Sequence, residues 1–229
     1  RACGNDEKAP MCGVPFHRAD TYIARLVSRG YKVAVCEQTE DPATAKGIVK
    51  RDVVRIVTPG TVIENLMLDE SKNNYLASIY IVDSQVGMCF ADVSTGKLSL
   101  TSIEKKKYDN DVINELSRFA PSEVIVNGRV KESNRLVSFI SGLANSTCDI
   151  LPDNEFDFES CKRSAAEHFG IEKLAKYSLL DNITAICALG SCLNYLKKMQ
   201  KNDLDNIQEI DFYSDNQFMR LDHWSRRNL

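Results

Sequence analysis

Residues 75–103 read YLASIYIVDSQVGMCFADVSTGKLSLTSI, and this stretch decides the fold of most of the chain. β-Branched and aromatic residues fill Tyr75–Val82, Gly87–Val93 and Lys97–Ile103, a composition that is typical of strands. A Ser-Thr-Gly triplet at 94–96 is suited to a turn between the second and the third of them. We therefore predict three consecutive strands paired as an antiparallel meander.

Helices and strands alternate after this meander. The predicted elements are a helix from Asp109 to Phe119, a buried strand Glu123–Val126, a helix Lys131–Ile140, a strand Cys148–Leu151, and helices Phe158–Phe169 and Asn182–Met199. The last helix is apolar on most sides, so we expect other elements to enclose it. This order predicts an α/β fold with a ribonuclease-H-like sheet covered by helices on both faces.

A smaller α/β unit precedes the meander. Its predicted elements are a helix over 20–29, a strand Lys32–Gln38 and a second strand Val53–Val57. Residues 61–74 lack periodicity and are interpreted as a linker, and residues 208–221 as one or two further strands.

Charge is distributed unevenly along the 229 residues. Residues 1–60 carry 10 Lys and Arg against 7 Asp and Glu, a net charge of +3, whereas residues 61–229 carry 19 against 25, a net charge of −6. The one candidate binding patch lies at 46–51, where Lys46, Lys50 and Arg51 surround a glycine in a loop. Such residues suit the oxygens of a DNA backbone, although a solvated loop has the same composition.

Sequence motifs for catalysis and metal binding are weak. A ribonuclease-H-like nuclease would need clustered carboxylates for two metal ions, but Asp83 lies past the first strand and Glu123 only starts the fourth. Asp92 is a lone candidate, which we interpret as a turn residue. The sequence contains neither Gly-x-x-x-x-Gly-Lys-Ser/Thr nor Gly-x-Gly-x-x-Gly, the two glycine-rich motifs that bind nucleotide phosphates. The eight cysteines contain no Cys-x-x-Cys pair and the three histidines are far apart, so we expect reduced, mostly buried thiols.

Several short words in a fixed order carry a family resemblance. They are MCGVPFH at 11–17, CEQ at 36–38, TPGT at 58–61, MRLD at 219–222 and RRNL at 226–229. In order and spacing they resemble the MutS family of DNA mismatch-repair sensors. The resemblance implies a partial mixed α/β mismatch-binding domain at 1–60, a linker at 61–74, a ribonuclease-H-like connector domain at 75–205 and the start of the core domain at 206–229.

The resemblance also implies what the chain would lack. In the family, a Phe-x-Glu pair contacts the mispaired base and lies upstream of the MCGVPFH word, and the ATPase domain lies downstream of the core. We therefore expect a non-catalytic fragment that holds no cofactor, with ATP and magnesium bound by the parent protein. The implied partners are mismatched double-stranded DNA, MutL and a second copy of the parent. The fragment itself is expected to be monomeric and cytoplasmic.

Two sets of site residues follow from the resemblance. Arg51 and Arg1 match family positions that contact the DNA backbone, and Lys46 and Lys50 lie in the same basic cluster as Arg51. The family docks MutL near the start of a connector helix, which corresponds here to a further set: Lys162, Arg163 and Ser164. The family pattern has amides at the last two of these positions, so this chain departs from it there.

Two other hypotheses remain open from the sequence. One is a ribonuclease-H-like, metal-dependent nuclease acting alone, against which the missing strand carboxylates argue. The other is an interaction module from a different repair or recombination protein.

Overall fold

A computed structural model describes residues 13–41, 47–62, 73–143 and 146–213. The helices within these ranges are α1 (Ala19–Val27), α2 (Asp109–Phe119), α3 (Asn134–Ser141), α4 (Phe158–Phe169), α5 (Ile171–Lys176) and α6 (Ile183–Gln200). The strands are β1 (Val33–Gln38), β2 (Arg51–Val57), β3 (Leu76–Val82), β4 (Gln85–Asp92), β5 (Lys97–Glu104), β6 (Glu123–Asn127), β7 (Thr147–Leu151) and β8 (Glu209–Phe212). We call the described residues up to 62 the front unit and those from 73 onwards the sheet unit.

The sheet unit is built on a six-stranded sheet with the strand order β7-β6-β3-β4-β5-β8. Neighbours β3, β4 and β5 are antiparallel, whereas β6 and β7 run parallel to β3, and β8 runs parallel to β5. The predicted meander and the ribonuclease-H-like order of the strands are confirmed. The outermost strand β8 lies in the range 206–229 that we assigned to the start of the core domain, and the domain boundary stays a prediction.

Both faces of the sheet are buried. Along β4, Met88 and Phe90 join the core beneath α2 and α3, while Cys89 and Ala91 join the core beneath α4, α5 and α6. The side-chain period of two in a strand explains this division. Burial on both faces also explains why the central strands read as nearly continuous apolar runs.

Helix α6 is enclosed, as its composition predicts. It is buried on nearly every side, and it lies between α4 and strands β3 and β4. Gly190 permits the close approach of α4, because a Cβ at that position would lie 2.3 Å from the Cα of Cys161. No helix in the described ranges has both the length and the apolarity needed to cross a membrane.

Two helices of the sheet unit differ from the sequence prediction. In place of one helix over Lys131–Ile140, the chain forms a 3₁₀ helix (Gly128–Glu132) and then α3, because the Ser133 hydroxyl accepts a hydrogen bond from the Leu136 amide at 3.2 Å and starts a new helix. Helix α5 was not predicted, since its six residues are too few to give a clear period.

The front unit contains helix α1 and the antiparallel hairpin of β1 and β2. Its own core is small and consists of Val27, Val57 and Val62. Helix α1 ends at Val27, two residues before the predicted end, and Gly30 with φ +83° follows the turn after it. Residues 63–72, most of the predicted linker, lie outside the described ranges.

Candidate nucleic-acid interface and docking surface

Two of the basic residues predicted to contact DNA, Lys50 and Arg51, lie at the tip of the β1–β2 hairpin, next to the loop that joins the two strands. Arg51 begins β2 opposite Gln38, and both it and Lys50 are exposed. The Arg51 Nη1 donates one hydrogen bond to the Val49 carbonyl at 3.3 Å, and among the described residues Arg51 has no ion pair. Most of its guanidinium donors are therefore available to an anion. Lys46 and Arg1 lie outside the described residues.

A carboxylate lies beside this basic pair. The Lys50 amide donates to Glu40 Oε2 at 3.1 Å, which ties the end of β1 to the loop before β2. Further along β2, the Arg55 Nη2 pairs with Asp20 Oδ1 of α1 at 3.6 Å. Of the basic residues on β2, Arg51 is thus the one free to reach a ligand at the tip of the hairpin.

The residues predicted to dock MutL lie on α4, in the sheet unit. Arg163 is exposed, and the Lys162 Nζ lies 5.3 Å from the centre of the Phe158 ring. Ser164 is buried on the inner face of α4, together with Cys161 and Ala165. A partner approaching α4 from solvent would therefore contact Arg163 and Lys162, whereas the Ser164 hydroxyl faces inward.

Asp92, the lone candidate carboxylate for a nuclease site, is part of a turn. Asp92 is fully buried, and its Oδ1 accepts from the Ser94 amide at 3.0 Å, the Ser94 hydroxyl at 2.6 Å and the Thr95 amide at 3.3 Å. The interpretation of Asp92 as a turn residue is confirmed. Across the described residues, no group of three or more His, Cys, Asp or Glu side chains is arranged to hold a metal ion.

The thiols in the described residues are unpaired and largely buried. Cys89, Cys161, Cys187 and Cys192 lie in the core, while Cys36 and Cys148 are exposed. Local burial and, secondarily, the neighbouring carboxylate of Asp149 raise the pKa of the Cys148 thiol to about 11. Four of these six cysteines are buried, as expected, and their reduced state stays a prediction.

A buried polar cluster, which sequence reasoning missed, joins the front unit to the sheet unit. We call it the Glu123 cluster, and its members are Glu123, Lys32, Thr58, Gly60, Asp149 and Tyr195. Glu123 is fully buried at the start of β6. Its Oε2 accepts from the Thr58 hydroxyl and, at 3.1 Å, from the Gly60 amide.

The second oxygen of Glu123 faces a tyrosine and a lysine. Oε1 accepts from the Tyr195 hydroxyl at 2.6 Å and lies 3.3 Å from the Lys32 Nζ. That ammonium also donates to the Tyr195 hydroxyl at 2.7 Å and pairs with Asp149. Burial, and then the charge of Glu123, raise the pKa of Tyr195 far above its usual value, so the phenol stays protonated as a donor.

Comparison with known proteins agrees with this architecture. The family model described as MutS domain I matches residues 1–65, and the model described as MutS domain II matches residues 74–208. Relatives named DNA mismatch repair protein MutS include those of Ruminiclostridium cellulolyticum (45% identical over 229 residues, 100% of this chain and 26% of the relative), Acetivibrio thermocellus (46% over 235 residues, 99% and 26%) and Lachnoclostridium phytofermentans (39% over 227 residues, 99% and 24%).

The chain spans about a quarter of the length of these relatives. The domain II model covers more than half of the chain, and its match contains strands β3–β7 and helices α2–α6. The domain I model covers the front unit. The chain therefore belongs to the MutS family and carries its domains I and II.

Proposed function

We propose that this chain is a non-catalytic part of a DNA mismatch-repair protein, in which the front unit contacts the DNA backbone and the sheet unit relays signals to other parts of the whole protein. The observation that supports it is the match to MutS domains I and II, together with an exposed Arg51 at the hairpin tip. ATP and magnesium would act elsewhere in the whole protein. We place that protein in the cytoplasm.

The proposed DNA contact is electrostatic. Arg51, with Lys50 beside it and with Lys46 and Arg1 as further candidates, would donate to phosphate oxygens. Contacts of this kind hold a protein on the duplex but carry no sequence or mismatch information. Binding by this chain alone should therefore be weak, sensitive to salt and equal on matched and mismatched duplexes.

The experiment compares matched and mismatched duplexes at two salt concentrations, using the chain and the variant Arg51→Ala. Loss of one phosphate contact should lower the slope of log affinity against log salt by about 1. Arg129→Ala is the matched control, since Arg129 is an exposed arginine of the sheet unit that pairs with Glu132 at 3.0 Å. A clear preference for the mismatch, or an unchanged slope in Arg51→Ala, would contradict the proposal.

The proposed partner of the sheet unit is MutL, with the start of α4 as the docking surface. Arg163 is exposed there and Lys162 lies beside it, whereas Ser164 would act only by supporting the helix. Arg163→Glu should weaken MutL binding measured with the full-length homodimer, and Arg135→Glu, an exposed arginine on α3, should leave it unchanged. Equal binding by both variants would place the docking surface elsewhere. For the chain on its own, a sedimentation mass of one copy is expected.

The nuclease alternative lacks a supporting observation, because both oxygens of Glu123 and Oδ1 of Asp92 accept hydrogen bonds within the protein, and no third carboxylate joins them in a metal-binding group among the described residues. Because the chain belongs to the MutS family, it is not an interaction module from a different repair or recombination protein.

A further inference from the structure

At the base of the β1–β2 hairpin, the chain entering β1 and the chain leaving β2 both contact one buried carboxylate of the sheet unit. Lys32 immediately precedes β1, and Thr58 and Gly60 lie in the turn that follows β2. All three reach Glu123, whose remaining hydrogen bond comes from Tyr195 on α6. We propose that the Glu123 cluster is a lock that sets the orientation of the front unit on the sheet unit.

The turn that follows β2 is shaped for this contact. A Cβ at Gly60 would lie 2.7 Å from the Cβ of Glu123 and 3.2 Å from the Cα of Leu76, so only glycine allows the turn to sit this close. The same turn receives two more hydrogen bonds from the sheet unit: Asn74 donates to the Pro59 carbonyl at 2.8 Å, and Gln200 donates to the Thr61 carbonyl. The polar contacts thus converge on one short segment.

Few apolar side chains of the described front unit pack against the core of the sheet unit. Ile56 is the residue of β2 that packs against the core of the sheet unit, and the front unit buries few apolar residues of its own. Beside the lock, a cleft of about 580 Å³ separates the units; Gly30 and Val62 line it from one side, and Ser122 and Thr147 from the other. Packing is interrupted at this cleft, whereas the contacts of the lock are continuous with the buried turn that follows β2.

The lock also fixes the position of the hairpin tip. Arg51 is six residues from Val57 along β2, which corresponds to about 20 Å at about 3.3 Å per residue. A rotation of the hairpin by about 10° at its base would therefore move the tip by roughly 3.5 Å, about one residue of strand rise. A firm base is thus needed for any tip residue to keep its place. The lock itself does not depend on what the tip contacts.

Lys32 makes the lock sensitive to a single change. Among the described residues, Lys32 is the one cation paired with Glu123, and it bridges Glu123 to Asp149. Tyr195 adds a hydroxyl that contacts both the ammonium and the carboxylate. Loss of Lys32 would leave two carboxylates facing each other, whereas loss of the Tyr195 hydroxyl would remove only hydrogen bonds.

Amide hydrogen exchange of the whole chain tests the lock. In Lys32→Met, amides of 51–61 should exchange at least about tenfold faster, while those of 86–92 in the sheet keep their protection. Tyr195→Phe should show the same pattern with a smaller increase, and it provides a second variant if Lys32→Met folds poorly. The control is Lys198→Met, which removes a surface pair with Glu155 at 3.5 Å and should change neither segment.

Two results would overturn the proposal. If 51–61 stays protected in both variants, apolar packing and not the lock holds the front unit. If 86–92 loses protection to the same degree, the cluster stabilises the sheet unit and does not set the orientation of the front unit.

Discussion

The variant Lys32→Met should lose more free energy of unfolding than the double variant Lys32→Met with Glu123→Gln. The carboxylate is fully buried, and its Oε1 lies 3.3 Å from the Lys32 Nζ. At an effective dielectric constant of about 20, two unit charges at that separation attract by about 5 kcal/mol. Since 35% of the Lys32 side chain is exposed, solvent screens part of this attraction, and we expect Lys32→Met to lower the free energy of unfolding by about 2–3 kcal/mol.

The double variant provides the decisive comparison. In Glu123→Gln, the amide keeps an oxygen acceptor for the front turn and removes the buried charge. Lys32→Met together with Glu123→Gln should therefore recover at least about 1 kcal/mol relative to Lys32→Met alone, because no uncompensated carboxylate remains at β6.

Urea unfolding followed by circular dichroism measures the free energy of unfolding of the parent chain, Lys32→Met, Glu123→Gln and the double variant. Lys198→Met is again the control, and it should fall within about 0.5 kcal/mol of the parent chain because its ion pair is exposed. The reasoning is refuted if the double variant is no more stable than Lys32→Met, since the penalty would then not come from the buried charge.

Three further predictions concern the sheet unit. Gly190→Ala should lower the free energy of unfolding by about 1–3 kcal/mol, because its Cβ would collide with Cys161 of α4; Gly128→Ala, which has no atom within 4 Å of the new Cβ, should not match that loss. Alkylation of Cys148 by iodoacetamide should rise about tenfold per pH unit up to its raised pKa of about 11, and a rate that levels off below pH 9 would contradict that pKa. Added magnesium should leave the thermal midpoint of the chain unchanged, whereas a concentration-dependent rise would reveal a metal site.

The sheet could be predicted from local sequence because its signals are local. β4 carries apolar side chains to both faces, and α6 is apolar on most sides, so each pattern is visible within one window. The inward direction of Ser164 was also accessible, since it lies three residues after the buried Cys161 and thus on the same face of α4.

The Glu123 cluster gave no such signal. Its members come from three strands or strand ends, a turn and a helix, and the hydrogen bond from Lys32 to Tyr195 spans 163 residues. A single sequence contains no pattern that pairs residues so far apart. In the sequence, Glu123 is only an acid at the start of a predicted strand, and TPGT at 58–61 is only a family signature. In the structure the two are in contact, because Thr58 and Gly60 of the TPGT turn donate hydrogen bonds to the Glu123 carboxylate.

This pairing gives a physical reason for a charged residue in the centre of an interface between two units. An apolar contact of the same size would tolerate sliding, because dispersion and the hydrophobic effect have little direction. A buried carboxylate that accepts hydrogen bonds from Thr58, Gly60 and Tyr195 and pairs with Lys32 does not tolerate sliding. Displacement of the turn at 58–60 would leave Oε2 of Glu123 without its partners and out of water. Burying the Glu123 charge costs free energy, but the contacts that compensate it define the orientation of the front unit on the sheet unit. That orientation determines where the hairpin tip with Arg51 lies.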